Sequence, residues 1–243
     1  NGLFSEIALM SGVSNTDWSW TTLLSDFNND GKKDAFITNG LLRDVRNKDF
    51  NTKWLEKLGG DMTKMSPENA KKGSILEMIK MAPSYKIKNY MYSNSGDLQF
   101  NNVTDSWNVN QLSFSQGASN ADLDNDGDLD LIVNNMNDVA FVYRNKTSDL
   151  KLQNYFQMKL EGPNGNKDGF GARVKIYIKD HFQMQEMTCV RGYMSSSEPI
   201  FHFGLADAST IDSLVLRWPD GSHQEFKNLK ANQRFIAKYV DAN

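Results

Sequence analysis

From about Asn154 onward the chain is patterned at period two. Ala172, Val174, Ile176 and Ile178 alternate with Arg173, Lys175, Tyr177 and Lys179, which predicts a strand with one buried face. Leu214, Leu216 and Trp218 alternate with Val215 and Arg217, and Phe235, Ala237 and Tyr239 predict a last strand. Trp218-Pro219-Asp220-Gly221-Ser222 predicts a tight turn leading into a strand at His223-Gln224-Glu225-Phe226. Upstream, Phe36-Ile37 and Leu131-Ile132-Val133 read as strands. A helical period occurs only within about residues 44–88. There Phe50, Trp54, Leu55 and Leu58 share one face, and Gly59-Gly60 supplies a stop. Ser66-Pro67 predicts a new helix start, with a stripe of Ile75, Ile79 and Ala82 that Pro83 ends.

Two segments repeat. Asp26-Phe27-Asn28-Asn29-Asp30-Gly31-Lys32-Lys33-Asp34 matches Asp122-Leu123-Asp124-Asn125-Asp126-Gly127-Asp128-Leu129-Asp130 at an offset of 96 residues. The offset also places Phe4 on Phe100, Ile7 on Val103, Val13 on Val109, Trp18 on Phe114 and Asn39 on Asn135. Tyr143-Arg144-Asn145 then corresponds to Tyr92-Ser93-Asn94. Asp34 to Tyr92 is 58 residues and Asp130 to Tyr143 is 13, so the first unit carries a 45-residue helical insertion. Without it the period is 51, the size of a four-stranded propeller blade.

Both nine-residue segments read D-x-[DN]-x-D-G-x-x-D. Side-chain oxygens at positions 1, 3, 5 and 9 converge if the backbone coils tightly, and the glycine at position 6 permits that coil. Asp26, Asn28, Asp30 and Asp34 would do this in the first loop, with Lys32 offering its backbone carbonyl. Asp122, Asp124, Asp126 and Asp130 would do it in the second, with Asp128 at the carbonyl position. Hard, oxygen-rich coordination suits Ca2+, and two structural Ca2+ sites are expected. An EF-hand is excluded, because Ile37 and Val133 stand where it needs a bidentate Glu. The competing reading is a plain Asp/Asn/Gly turn. Five aspartates within nine residues of the second loop argue against it, since their repulsion calls for a cation.

These motifs resemble the FG-GAP/VCBS repeats of integrin-type β-propellers, including the Asn94-Ser95-Gly96-Asp97-Leu98-Gln99-Phe100 run. A second resemblance, to the ASPIC/UnbV domain, rests on Gly169-Phe170-Gly171-Ala172-Arg173, Arg191-Gly192-Tyr193, Ser195-Ser196-Ser197, His202-Phe203-Gly204-Leu205 and Trp218-Pro219-Asp220-Gly221. The expected fold is therefore mainly β. Residues 1–147 would form two calcium-loop blades of a partial propeller with a helical insertion. Residues 154–243 would form a small antiparallel β-sandwich or barrel. Two blades cannot close a propeller, so the chain is expected to be the C-terminal part of a larger protein.

Composition narrows function. The chain has 243 residues and a net charge of −3, which gives no electrostatic case for nucleic acid. No apolar run reaches the roughly 18 residues of a spanning helix. Cys189, the single cysteine, permits no internal disulfide; it reads as a buried position in an alternating strand. His181, His202 and His223 show no metal spacing, and Ser195-Ser196-Ser197 lacks a nucleophile context. Arg173, Arg191 and Arg217 are candidates to converge on an anion or acidic sugar, or else are solvated strand positions. Trp18 and Trp20 would share one side of a strand, as packing residues or a sugar-stacking platform. Asn102-Val103-Thr104 and Asn145-Lys146-Thr147 fit the glycosylation acceptor pattern. The resulting expectation is a calcium-stabilised binding or adhesion module, extracellular, at the cell surface or periplasmic, that recognises a glycan or protein partner. The alternative is a polysaccharide-directed enzyme with its site at the blade/ASPIC interface.

Overall fold

The structure, a computed structural model, describes residues 3–57, 72–150 and 153–240. It is mainly β and built from several antiparallel sheets. After a single helical turn, α1 (Ala8–Ser11), the first unit forms a four-stranded sheet. Its order is β1 (Ser19–Ser25), β2 (Asp34–Asn39), β4 (Tyr90–Gly96) and β5 (Gln99–Asn102). The second unit is β7 (Ser115–Ala121), β8 (Asp130–Asn135) and β9 (Phe141–Tyr143). A short ladder of β3 (Ile87–Lys88) with β6 (Leu112–Ser113) lies outside both sheets.

The two units are copies down to single hydrogen bonds. Leu23 faces Phe36 and Ser119 faces Ile132, and both strand pairs slip register at the same point, between Ser19 and Thr22 and between Ser115 and Ala118. Ser19 Oγ donates to Asn39 Oδ1 at 2.8 Å, and Ser115 Oγ donates to Asn135 Oδ1 at 2.7 Å. The 51-residue correspondence of the third strands also holds: Tyr92 pairs with Ala35 as Tyr143 pairs with Leu131. Phe27, Phe36 and Met91 of the first unit share a buried cluster with Leu129, Leu131 and Val133 of the second, so the sheets stack on each other. Every residue of β2 is buried because both of its faces are covered. Phe36 points into that shared cluster, while Ala35 and Ile37 belong to another with Tyr92.

The insertion contains α2 (Lys48–Lys57) and α3 (Lys72–Met81). Phe50 and Trp54 are buried with Ala82, as their spacing predicted, but Ile79 is 40% exposed and departs from the expected stripe. Leu58, Gly59-Gly60 and Ser66-Pro67 lie outside the described residues, as does the side chain of Ile75.

The C-terminal region has two sheets over one core. One is ordered β13 (Ile200–Ala206), β10 (Asn154–Glu161), β16 (Gln233–Lys238). The other is ordered β12 (His181–Glu186), β11 (Arg173–Ile178), β14 (Thr210–Arg217), β15 (His223–Lys230). Phe156, Met158, Phe201 and Phe203 from the first sheet meet Val174, Ile176, Leu214 and Leu216 from the second. Each such buried side chain contributes about 1.5–3 kcal/mol. β10 and β16 pair in parallel, against the all-antiparallel expectation, because the chain passes through the second sheet before returning beside β10. No strand pair joins the two sheets among the described residues, so they do not close into a barrel. Cys189 sits half-buried at a bend beyond β12 rather than in a strand, which corrects the reading of an alternating, buried position.

Candidate metal loops and the junction cavity

The two acidic loops fold alike. In each, the first aspartate accepts from the amides of positions 5 and 6: Asp26 from Asp30 at 3.1 Å and Gly31 at 2.8 Å, and Asp122 from Asp126 at 3.1 Å and Gly127 at 3.1 Å. Gly31 and Gly127 take φ of 87° and 93°, a region open to glycine without a Cβ clash. The last aspartate joins the loop to the third strand. Asp34 accepts from Phe27 N at 3.1 Å and Asn94 N at 2.9 Å, and Asp130 from Leu123 N at 3.0 Å and Asn145 N at 2.7 Å.

Carboxylates of Asp122, Asp124 and Asp126 lie within 4.8 Å of one another, and among the described residues no other acidic, histidine or cysteine set does so. Asp122 is buried, Asp126 half-buried and Asp124 exposed. Asp128 Oδ1 is buried without a hydrogen-bond partner among the described residues. Burial first, then the Asp126 charge, push the Asp128 carboxyl up to about 7. The crowded carboxylates of Asp122, Asp124 and Asp126 fit a hard divalent cation. The buried Asp128 side chain adds to the charge excess expected of five aspartates in one loop. In the first loop Asn28 replaces one carboxylate, and the Lys32 ammonium lies 3.9 Å from Asp30. Burial pushes Asp26 up to about 7 and Asp34 up to about 6. Arg144 flanks the second loop from outside, 2.7 Å from Asp124 and 3.3 Å from Asp126.

Both loops dock on the C-terminal sheet. β10 turns Phe156 and Met158 into its own core, so Tyr155 and Gln157 face the repeats. On β13 the inward pair is Phe201 and Phe203, and His202 and Gly204 face outward. Asn29 Nδ2 donates to Gly127 O at 3.1 Å, which turns Asn29 Oδ1 toward His202 Nε2 at 2.7 Å. That oxygen can only accept, so His202 carries its proton on Nε2. Gln157 Nε2 donates to Asp122 Oδ2 at 2.7 Å and lies 3.5 Å from His202 Nδ1. Arg234 Nε donates to Gln157 Oε1 at 2.7 Å, with its guanidinium 3.5 Å from Asp122. Burial, then the Arg234 charge, hold His202 down to about 3, so it is a neutral strut. A Cβ on Gly204 would overlap the Asp26 carboxylate and lie 2.5 Å from Asn29 Cα.

The other C-terminal motifs dock as well. Tyr193 N donates to Thr21 Oγ1 at 2.9 Å, and the Tyr193 ring packs 4.7 Å from Trp20. Ser119 Oγ donates to Ser196 O at 2.6 Å, and Ser197 Oγ to Asn120 Oδ1 at 3.2 Å. Residues 162–243 match the family model described as ASPIC and UnbV. In this ASPIC/UnbV region the Arg-Gly-Tyr, Ser-Ser-Ser and His-Phe-Gly motifs thus make the contact with the acidic-loop units. β10, which supplies Gln157, lies just before the matched residues. No curated protein matches the chain.

A small polar cavity of about 50 Å3 remains at this junction, room for a few waters or one compact polar group. Asp26, Lys33, Gln183, Gln185, Arg191 and Glu198 line it together with His202. Lys33 and Arg191 make no ion pair among the described residues. Burial, then the Arg191 charge, hold the Lys33 ammonium below its ordinary range. Gln183 Nε2 donates to Gly204 O at 2.7 Å, and its amide oxygen has no protein donor among the described residues.

The remaining candidates separate. Arg173 and Arg217 face each other across β11 and β14, with Arg173 2.7 Å from Glu186, while Arg191 lines the cavity, which neither of them does. Trp18 and Trp20 touch edge to face at 6.5 Å. Trp18 carries the Arg46 guanidinium 4.7 Å above it. In the glycosylation patterns, Asn102 ends β5 and is exposed while Thr104 is fully buried, and Asn145 Nδ2 donates to Phe27 O at 2.6 Å. Asn29, Gln157, Lys33 and Arg234 carried no signal in the sequence, because their partners lie far along the chain.

Proposed function

We propose that the chain is a calcium-stabilised, extracellular binding module: two FG-GAP/VCBS-type blades of a propeller closed at one side by the ASPIC/UnbV-like domain. The ligand is an acidic glycan whose carboxylate or sulfate group enters the junction cavity. The supporting observation is the pair of cations, Lys33 and Arg191, that meet there and make no ion pair among the described residues, beside amide groups suited to sugar hydroxyls. Ca2+ would be held by Asp122, Asp124 and Asp126 in the second loop, and more weakly by the less acidic first loop. Its role is to neutralise carboxylates. Asp26, Asp122 and Glu198 also edge the cavity; Ca2+ in the loops would neutralise the first two and leave Lys33 and Arg191 in excess over Glu198. Affinities of extracellular calcium modules, about 10⁻⁴–10⁻³ M, match a compartment with millimolar calcium.

The enzyme alternative would use the same cavity. It is the weaker reading because three of the cavity's acid–base candidates are already committed. Asp26 and Asp122 are each held by two loop amides, and His202 is a neutral strut. The test is a glycan array with Ca2+, followed by calorimetry on the Lys33→Ala and Arg191→Ala variants. Uronate-bearing or sulfated glycans should bind, and each variant should lose about tenfold or more in affinity. Equal binding of neutral sugars contradicts the reading, and product formation favours the enzyme.

A further inference from the structure

Val174, Ile176, Leu214 and Leu216 point into the C-terminal core, so the residues between them on β11 and β14 form an outer face. Strand register sets that face in rows. Glu186, Arg173, Arg217 and His223 make one row across β12, β11, β14 and β15, and Met184 and Lys175 begin the next. Neighbours lie about 5 Å apart across the strands, and rows about 7 Å apart along them. The repeats dock on the other sheet, through Gln157, His202 and Gly204, so this face is turned away from them. It is cationic. Glu186 is taken by Arg173 at 2.7 Å, and Glu225 by Lys227 at 3.4 Å. Arg217 and Lys175 make no ion pair among the described residues. Arg217 stands directly opposite Arg173, a like-charge pair that costs stability unless an anion bridges it.

The same face carries apolar surface. Lys175 Nζ lies 3.9 Å from the Phe182 ring centre and 4.6 Å from that of Tyr177, and Phe182 and Met184 are each 60% exposed. Cations set among exposed apolar side chains suit a sugar acid, whose ring has apolar C–H faces and whose carboxylate takes charge-assisted hydrogen bonds. β12 joins this face to the junction cavity. Its side chains alternate: Gln183 and Gln185 line the cavity, while Phe182, Met184 and Glu186 stand on the outer face. β12 pairs only with β11, so it is an edge that an extended ligand can cross from one side to the other. That continuity favours a glycan chain over an anionic membrane surface, which could not enter the cavity.

We propose that the acidic glycan is a polymer held at two subsites, with one charged group in the junction cavity and the following sugars across β12 on the face of Lys175, Arg173 and Arg217. This rests on the cavity reading above and adds a second subsite to it. Calorimetry in millimolar Ca2+ with glucuronate and its linear oligomers tests it. Affinity should rise about tenfold or more from the monomer to the longer oligomers, because the second contact is then intramolecular. Arg217→Ala and Lys175→Ala, both on the solvent side of the sheet, should each remove about tenfold from the oligomer affinity and leave the monomer affinity as it was. Lys33→Ala should weaken both. Equal affinity along the series, still lost in Lys33→Ala, overturns the second subsite and leaves the cavity reading standing. A gain with length that survives both Arg217→Ala and Lys175→Ala overturns the second subsite as well. Oligomer binding lost in Arg217→Ala yet unchanged in Lys33→Ala overturns the cavity reading, and with it a ligand that spans both.

Discussion

Asp26, Asp34 and Asp128 carry most of the argument at the scale of single residues. Their carboxyls are raised to about 7, 6 and 7, mainly by burial, from an ordinary value near 3.8. A raised acid binds its proton more tightly in the folded chain, so stability falls as pH rises from about 4 to 7. His202 acts the other way. Its folded value of about 3 lies below the ordinary 6.5, so it costs stability as pH falls below 6.5. Three groups outweigh one, and in chelator the melting temperature should fall across that window, as a thermal scan at successive pH values would record. Millimolar Ca2+ should flatten or reverse the slope, since protons then compete with the ion. Arg144 gives a second expectation. It neutralises Asp124 and Asp126 from outside, so Arg144→Ala should lower the melting temperature in chelator yet tighten Ca2+ binding a few-fold by calorimetry. The aspartates were legible in the sequence through their spacing. Lys33 and Arg234 were not, because nothing local to either residue reports a partner on another strand.

At the scale of elements, alternation located β11, β14 and β16 and the turn after Trp218, where Trp218 N and Gly221 N close the bend. The matched acidic segments exposed the repeat, because the loops fix their own flanking strands. Alternation failed where a strand is covered on both faces. β2 is uniformly buried, and β10 hides the polar Gln157 on the face opposite Phe156. A buried polar side chain in an otherwise alternating strand marks a second interface, which only the packed structure reveals. Gly204 gives that interface a simple test. Its backbone is ordinary, so the absent Cβ serves only the close approach of Asp26 and Asn29. Gly204→Ala should cost about 1–3 kcal/mol of stability in a denaturant melt, the usual range for overpacking. An unchanged midpoint would mean the loops do not dock on β13.

At the scale of the whole molecule the net charge of −3 conceals an uneven distribution. Eight of the acidic residues sit in the two loops, and the remaining 22 against 27 basic residues leave the rest of the chain at +5. The loops are pressed against the ASPIC/UnbV region by the Asn29, His202 and Gln157 network, so a cation that settles a loop also settles the docking of the two halves. By linkage, an ion bound only by the folded chain stabilises all of it. The direct measurement is a calorimetric titration of Ca2+ into chelator-stripped protein, paired with a thermal melt. Saturable binding is expected, with a melting temperature that rises with Ca2+ and loss of the second-loop site in Asp122→Asn. No binding heat together with an unchanged melt at millimolar Ca2+ would contradict it.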